Sequence, residues 1–568
     1  MQAEEYFDFV VVGAGSSGCV LANRLSEDGK SRVALVEAGP RDTNPWIHVP
    51  IGYGKTMWND RLNWRFHTEP EPNMGGRSIY WPRGRVLGGC SSINGLVVVR
   101  GQREDYDGWA ARGATGWSWQ DVLPYFKKLE DNQPFAADPL HGTGGPVTIS
   151  SIPRKHELIE AVKAAGRALG VPETDDFNGA SQEGVGYFQL TTRNGMRVSA
   201  AKAYLAPARA RPNLTIFTEA QARRVLFEGM RASGVELSIG GGIKTLKARR
   251  GVILSAGAVQ SPQLLMLSGI GPAAHLQEHG IAVKLDSPGV GGNLQDHLQL
   301  RLLYRCTKPI TTNDALNSLA GRLRMGLEYL LFRGGPLAIG INQGGLFTRV
   351  LPESQTPDIQ FHIGTLSADM AGGKVHAHSG FTLSVCQLRP ESTGTVRLGS
   401  ADPLAPPKIS ANYLATETDR RCAVASLKFA RALAATEPLR RYVAEEKLPG
   451  PGVTDDESLL GFAREYGATI FHPAGTCRMG ADDDRDAVLD ARLRVRGVEG
   501  LWVADCSVMP AVTSGNTNIP AIMIGEKAAD MIREDTLNNS TGRDNAPKQT
   551  KDGRKTPWQD TQELQAAS

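Results

Sequence analysis

His472 stands in "GATIFHPAGTCRMG", between a β-friendly apolar triplet and a loop of small residues. A neutral imidazole is the natural base near pH 7. More than 450 residues earlier, "GAGSSG" supplies Gly13, Gly15 and Gly18 at GxGxxG spacing, after a β-rich run and before a helical one. There Gly13 permits a tight turn, Gly15 lets backbone N–H groups approach a pyrophosphate, and Gly18 permits close helix packing, while the helix N-terminus favours negative charge. Glu37, nineteen residues after Gly18, can accept hydrogen bonds from both ribose hydroxyls and would repel a 2′-phosphate. A base needs a partner and a cofactor, and the rest of the chain must supply both.

The elements that hold these residues are readable in outline. "DFVVVGAG", "SSGCVLANRLSED" and "SRVALVEAG" read as strand, helix and strand, a βαβ unit over residues 8 to 37. Residues 75 to 115 are too rich in glycine for regular structure and too apolar for a solvated linker, so they predict a long ordered, functional loop. The GxGxxG turn alone does not separate FAD from NAD, but this second glycine-rich segment looks built to lie along a fixed cofactor. Over 247 to 271 a strand is expected to turn through Gly257 into a helix that starts at Ser261-Pro262. "IQFHIGTL", "GFTLSVCQL" and "TGTVRLGSADPLAPPKI" suggest an antiparallel sheet. From about residue 536 the chain loses its large aliphatic residues, which predicts a polar, mobile tail over 536–568.

Composition excludes several classes of function. The chain has 568 residues, 41% of them apolar, enough to bury a large core. With 63 basic and 60 acidic residues the net charge is +3, and no run of Lys and Arg marks a nucleic-acid surface. No basic region leads into the first apolar run, so no secretory signal is expected and the mature chain is expected to begin at Met1. No apolar run reaches the roughly 18 residues of a spanning helix, which leaves only peripheral membrane contact. Seven scattered cysteines without CxxC spacing predict reduced thiols in a cytoplasmic setting, with no disulfide frame and no structural metal.

Taken in order, "GRVLGGCSSIN" (84 to 94), "GAVQSPQLLMLSGIG" (257 to 271), "GVGGNLQDH" (289 to 297), "RPESTGTVRL" (389 to 398) and "HPAGTCRMG" (472 to 480) form a pattern. The chain resembles the glucose–methanol–choline family of FAD-dependent oxidoreductases from about residue 6 to residue 535. The resemblance implies an α/β fold with a Rossmann-like FAD-binding domain and an interleaved α+β substrate domain on an antiparallel sheet. It assigns 5–155, 196–300 and 465–535 to the first domain and 156–195 and 301–464 to the second; the family's N-terminal region would span about 6–302 and its C-terminal region about 389–530.

The resemblance also implies site roles. Gly13, Gly15, Ser17 and Gly18 would hold the pyrophosphate, and Glu37 with Ala38 the adenosine ribose. Val86, Gly89, Asn94, Gly95 and Val97 would line the middle of the flavin and its ring. Ala222 would contact adenine through its backbone, Trp64 would cover it, and Asp505 would face the ribityl and pyrophosphate region. His472 would be the base over flavin N5 and Asn516 would hold the substrate oxygen, because asparagine cannot accept the proton. Asn518, Ile519 and Pro520 would approach the pyrimidine edge. Cys90 departs from the more usual Gly, Ser or Thr, with little effect expected. Where some relatives carry a histidine attached to the flavin, this chain has Ile93, so FAD is expected to bind without a covalent link. Of the other histidines, His297 reads as structural, His362 as a strand residue with some chance of facing the substrate cavity, and His376 and His378 as solvated or part of a lid.

The resulting expectation is an enzyme that oxidises a primary alcohol to an aldehyde and passes electrons to a quinone or another non-oxygen acceptor. A choline dehydrogenase and an alcohol oxidase that makes peroxide from dioxygen are the alternatives. Hydroxynitrile cleavage, or an inactive flavin carrier, would use the same scaffold without cycling the flavin. A choline substrate calls for an aromatic cage and a carboxylate, whereas residues 334 to 347 offer Asn342, Gln343 and Phe347 but no acid.

Overall fold

The computed structural model describes residues 5–370 and 372–544. The strand Glu5–Val12 is buried from Phe9 to Val12 and runs parallel to Val33–Val36 on one side and to Gly242–Leu254 on the other. Burial on both faces is what an apolar strand inside a parallel, helix-covered sheet requires. Leu214–Phe217 extends the sheet beyond Val33–Val36, Leu501–Val503 pairs parallel with residues 252–254, and an antiparallel extension through Arg231–Ile239 and Ala220–Glu228 completes seven strands.

Helix Ser16–Leu25 covers this sheet and packs on the closing helix Asn518–Asp544. A Cβ on Gly525 would lie 3.0 Å from the backbone of Ser17, so the two helices meet at backbone distance. The Ser17 hydroxyl donates to Ala521 O at 2.7 Å, and Arg24 pairs with the fully buried Glu526 at 2.8 Å. The closing helix runs beyond residue 535, so its last turns occupy the start of the expected tail; residues 545–568 of that tail lie outside the described residues.

The second sheet is antiparallel throughout, in the order Val443–Leu448, Leu298–Cys306, Gly380–Gln387, Ile359–Gly364, Asn342–Thr348 and Gly184–Tyr187, with Ala468–Thr469 paired to Leu298–Gln299. Its ladder therefore crosses the boundaries drawn at 300 and 465. Ile359, Phe361 and Ile363 alternate with Gln360, His362 and Gly364, and Phe381, Leu383 and Val385 alternate with Thr382 and Ser384. The apolar set packs under helix Glu417–Ala435. The polar set is buried too, because it faces the cleft between the sheets rather than bulk solvent.

Two local expectations change. Residues 103–111, inside the stretch read as irregular, form a helix: Gln102 and Asp105 make a reciprocal capping box, and Tyr106 and Trp109 bury one face. The helix expected to start at Ser261-Pro262 begins four residues earlier, at Gly257, so Pro262 lies inside it. Proline cannot donate to the carbonyl of Ala258 four residues back, and the Thr476 hydroxyl donates to that carbonyl instead, at 2.6 Å. Ser261 is freed from a starting role and donates to Asp505 at 2.6 Å.

This substitution of one donor for another is testable. Thr476→Val leaves the buried Ala258 carbonyl unmet and should cost about 1–3 kcal/mol, read as a lowered thermal unfolding midpoint, while Thr476→Ser should retain most of the stability.

Candidate active site

One cleft runs between the two sheets. Its nucleotide end is made by the first βα turn, where Gly13 has φ +99° and a Cβ would sit 2.4 Å from Ser255 O. Gly15 is the N-cap of the helix Ser16–Leu25 and provides no side-chain cap, so the first helical amides keep their donors for a ligand in the cleft. The second glycine-rich segment lies directly on this turn: Gly88 N donates to Ala14 O at 2.8 Å, and a Cβ on Gly89 would be 2.7 Å from Gly15 Cα. Glu37 accepts from Ala14 N at 3.0 Å and Gly39 N at 2.8 Å, and burial pushes its carboxyl up to about 7. An uncapped helix terminus for a pyrophosphate beside a held carboxylate for a ribose is a donor and acceptor set that fits a dinucleotide such as FAD.

Of the residues expected here, Gly13, Gly15, Ser17, Glu37, Ala38 and Trp64 line the cleft, as do Gly89, Asn94, Gly95 and Val97. Ala222, Asp505 and Asn518 line it from the far side. Gly18 sits behind the turn, where a Cβ would be 1.8 Å from Gly13 O. Val86 packs with Ile47, Leu62 and Ile93, and Ile519 belongs to the core of the first sheet. Pro520 lies in the first turn of the closing helix and is not a lining residue. Trp64 is stacked on Phe66 with the Arg85 guanidinium 4.9 Å from its ring. Asp505 caps helix Gly257–Leu267, accepting from Gly257 N at 2.8 Å. The Cys90 thiol is a polar partner rather than a bystander, accepting from Arg83 at 2.7 Å and Gly84 N at 3.3 Å.

At the other end of the cleft, His472 and Asn516 meet: Asn516 Nδ2 is 3.1 Å from His472 Nε2. The tautomers follow from the acceptors. His297 Nε2 faces the Leu388 carbonyl at 3.0 Å, which can only accept, so that nitrogen carries hydrogen. Burial pushes His297 down to about 4, so its ring is neutral and its Nδ1 is an acceptor. The Nδ1 of His472 lies 3.0 Å from that atom and must donate to it. The Nε2 of His472 therefore holds the lone pair and points at Asn516. Burial, then the neighbouring His297, His362 and Arg83, hold His472 well below the ordinary histidine range, so the lone pair is available at neutral pH.

The backbone fixes this ring as firmly as its neighbours do. Phe471, just before it, has φ +74°, a left-handed conformation held by Thr469 Oγ1 accepting from Phe471 N at 2.7 Å and by Arg83 donating to Phe471 O at 2.9 Å. Asp296 accepts from His472 N at 2.7 Å, and its carboxyl is pushed up to about 6 by burial.

Asn516 turns its oxygen the other way, to Gln360 Nε2 at 3.0 Å and His362 Nε2 at 3.4 Å. The Oε1 of Gln360 and Nδ1 of His362 are buried without a hydrogen-bond partner among the described residues. His297 was read as structural and touches the ring of His472; His362 lines the cleft, pushed down to about 4 by burial. Gln360 and Arg301 were not singled out at all, although the alternation of polar and apolar residues in their strands marks them. His376 pairs with Asp369 at 2.9 Å and stacks on His378, beside a loop whose Met370 and Gly372 line the cleft.

Comparison with known proteins gives a consistent result. A family model described as GMC oxidoreductase matches residues 7–299, and its C-terminal counterpart matches residues 390–525. The chain is 45% identical over 529 residues to a protein named oxygen-dependent choline dehydrogenase from Brucella ovis, covering 92% of this chain and 95% of that one. It is 43% identical over 529 residues to a protein named alcohol dehydrogenase [acceptor] from Pseudomonas putida, covering 93% and 95%. The crystal structure of pyridoxine 4-oxidase from Mesorbium loti superposes with a TM-score of 0.84 at 33% identity, covering 93% of this chain and 99% of that one.

The three buried histidines of the site, His297, His362 and His472, make stability depend on pH. Each is neutral in the fold and takes up a proton on unfolding below about 6.5. Their contribution to stability is therefore full above about pH 6.5 and is lost as the pH drops toward the folded values, about 4 for His297 and His362. Glu37 and Asp296, held up to about 7 and about 6, bind protons in the fold over the same range and act in the opposite sense, so the test is a difference: between about pH 7.5 and about pH 5, His362→Gln should lose less stability than the wild type. In ¹⁵N spectra of labelled protein, His472 Nε2 should appear as the unprotonated nitrogen.

Proposed function

The chain belongs to the GMC oxidoreductase family, and on that premise we propose that it oxidises a primary alcohol to an aldehyde, with His472 as the base and a quinone or another non-oxygen carrier as the final electron acceptor. The observation that carries the reading is the lone pair of His472 Nε2 on the cleft wall, met by the Asn516 amide at 3.1 Å, where a substrate hydroxyl can take the amide's place. An alcohol gives up hydride far more readily once its hydroxyl proton is leaving. His472 Nε2 takes that proton at the place where Asn516 Nδ2 now lies, and the amide hydrogens of Asn516 bond the substrate oxygen as its charge grows. The Leu388 carbonyl and His297 keep the accepting nitrogen on the cleft side throughout. FAD in this cleft supplies the hydride acceptor for the carbinol hydrogen.

The chain holds that cofactor through the uncapped helix at Gly15, the Glu37 carboxylate, and the lining residues Asn94, Gly95 and Asn518. Ile93 lines the cleft with no nucleophile, which supports binding without a covalent link. We assign 5–155, 196–300 and 465–535 to cofactor binding and 156–195 with 301–464 to the substrate, the crossing ladder at 298 and 468 joining them. The seven free cysteines suit a reducing, cytoplasmic setting.

The substrate is better read as a medium-chain or otherwise uncharged alcohol than as choline. Among the described residues the carboxylates that line the cleft are Glu37 and Asp505, both engaged with backbone amides at the nucleotide end. Arg301 lines the same cleft from the second sheet, donating to the carbonyls of Ala368 and Asp369, each at 3.1 Å, and forms no ion pair among the described residues. A guanidinium on the wall opposes a quaternary ammonium. Asn342, also on the wall, is neutral.

His472→Ala should retain FAD and slow anaerobic flavin reduction by an alcohol about 10²–10⁴-fold; reduction at the wild-type rate would remove the base assignment. Bleaching by alcohol that persists in air and reverses with a quinone supports the non-oxygen acceptor, whereas rapid recovery with peroxide makes the protein an oxidase. The kcat/KM for an uncharged primary alcohol should exceed that for choline, and Arg301→Ala should narrow the ratio.

A further inference from the structure

Helix Leu319–Phe332 concentrates exposed apolar side chains as no other element of the described residues does: Leu319 is 70% exposed, Leu323 60%, Leu327 56%, Leu330 and Leu331 69% each, and Phe332 77%. At about 100° per residue the five leucines fall on one arc of about 120°. Met325 and Tyr329 lie on the opposite side and are buried, so the helix is anchored by one face and presents the other. Single exposed leucines need no explanation, but a contiguous stripe marks an interaction surface.

The charges around the stripe identify the partner. Arg324 flanks it on one edge and Arg322 and Arg333 on the other, all exposed. The only acid of the helix, Glu328, is turned inward and pairs with Arg154 at 3.6 Å. Neither Arg322 nor Arg324 forms an ion pair with a described residue. A second copy of the same face would set arginine against arginine with no acid to pair them. A leucine stripe bordered by long cationic side chains suits the boundary between acyl chains and anionic headgroups, where arginines reach up to phosphates while their stems stay in apolar surroundings. No helix among the described residues is long and apolar enough to cross a membrane.

The same helix is tied to the cleft. Just before it, Asn313 donates to Ser367 O at 2.9 Å and to His376 O at 3.0 Å, and Asn317 donates to His376 O at 2.7 Å. These bonds hold the loop whose Met370, 53% exposed, lines the cleft. After the helix the chain returns within ten residues to Ile341 and Asn342 on the cleft wall.

We propose that helix Leu319–Phe332 lies in the surface of an anionic lipid bilayer, its leucine stripe among the acyl chains and its arginines at the phosphates, with the Met370 loop of the cleft held beside the membrane. Amphiphilic alcohols and quinones partition into that layer, so docking brings the cleft to where such molecules are concentrated. The inference stands on the helix alone and survives a different choice of substrate.

The test is flotation of the full-length, FAD-loaded protein with phosphatidylcholine vesicles and with phosphatidylcholine–phosphatidylglycerol vesicles. The protein should float with the anionic vesicles, less with the neutral ones, and less as salt is raised. The triple variant Leu323→Gln, Leu327→Gln, Leu331→Gln should remain in solution while its alcohol oxidation with a soluble dye acceptor is unchanged. Arg322→Gln with Arg324→Gln should lower the partition onto anionic vesicles by roughly tenfold or more. Wild-type protein that stays in solution with both vesicles, or a leucine variant that floats as well as wild type, overturns the proposal. A dimer that the leucine variant dissociates, without flotation, would make the face a contact between copies and equally overturn it.

Discussion

The carbonyl of Leu388 decides which nitrogen of His472 carries a proton. It acts through His297, whose ring can satisfy an obligate acceptor on one side only by offering a lone pair on the other. Every later choice follows from that constraint, including the orientation of Asn516 and the pairing of its oxygen with Gln360 and His362. A buried chain of neutral groups of this kind is stiff because each member has one alternative arrangement, and that alternative leaves a donor facing a donor or an acceptor facing an acceptor.

The constraint works because the two sheets are different instruments. The parallel sheet is apolar on both faces and supplies a rigid floor, with a turn at which backbone alone approaches the ligand. The antiparallel sheet is apolar on one face and polar on the other, and the polar face is buried. Leu298–Cys306, Ile359–Gly364 and Gly380–Gln387 deliver Gln299, Arg301, His362, Thr382 and Ser384 to one cleft wall by strand alternation alone.

Legibility in the sequence tracked how local each constraint is. Gly13, Gly15 and Glu37 were readable because a strand, a turn and a helix within thirty residues impose them. His472 and Asn516 were readable through the family resemblance, since nothing in "FHPAGT" or "SGNTNIP" alone points one at the other. His297 was passed over because its partner lies 175 residues away. The start of the helix at Gly257 was misplaced for the same reason: the donor that makes Pro262 tolerable inside it belongs to Thr476. Arg301 and Gln360 follow a visible alternation, but which polar face of a strand looks into a cleft is set only when the sheets pack.

Phe471 adds a different consequence. A left-handed conformation at a bulky residue costs of order 1–3 kcal/mol, and here Thr469, Arg83 and Asp296 hold the segment against it. Stability and precision are therefore set against each other at this one residue. A glycine there would relax the backbone and loosen the seat of the histidine, so a variant that melts later could turn over more slowly. Selection for thermal robustness alone would erode the site at the position where the chain is least comfortable.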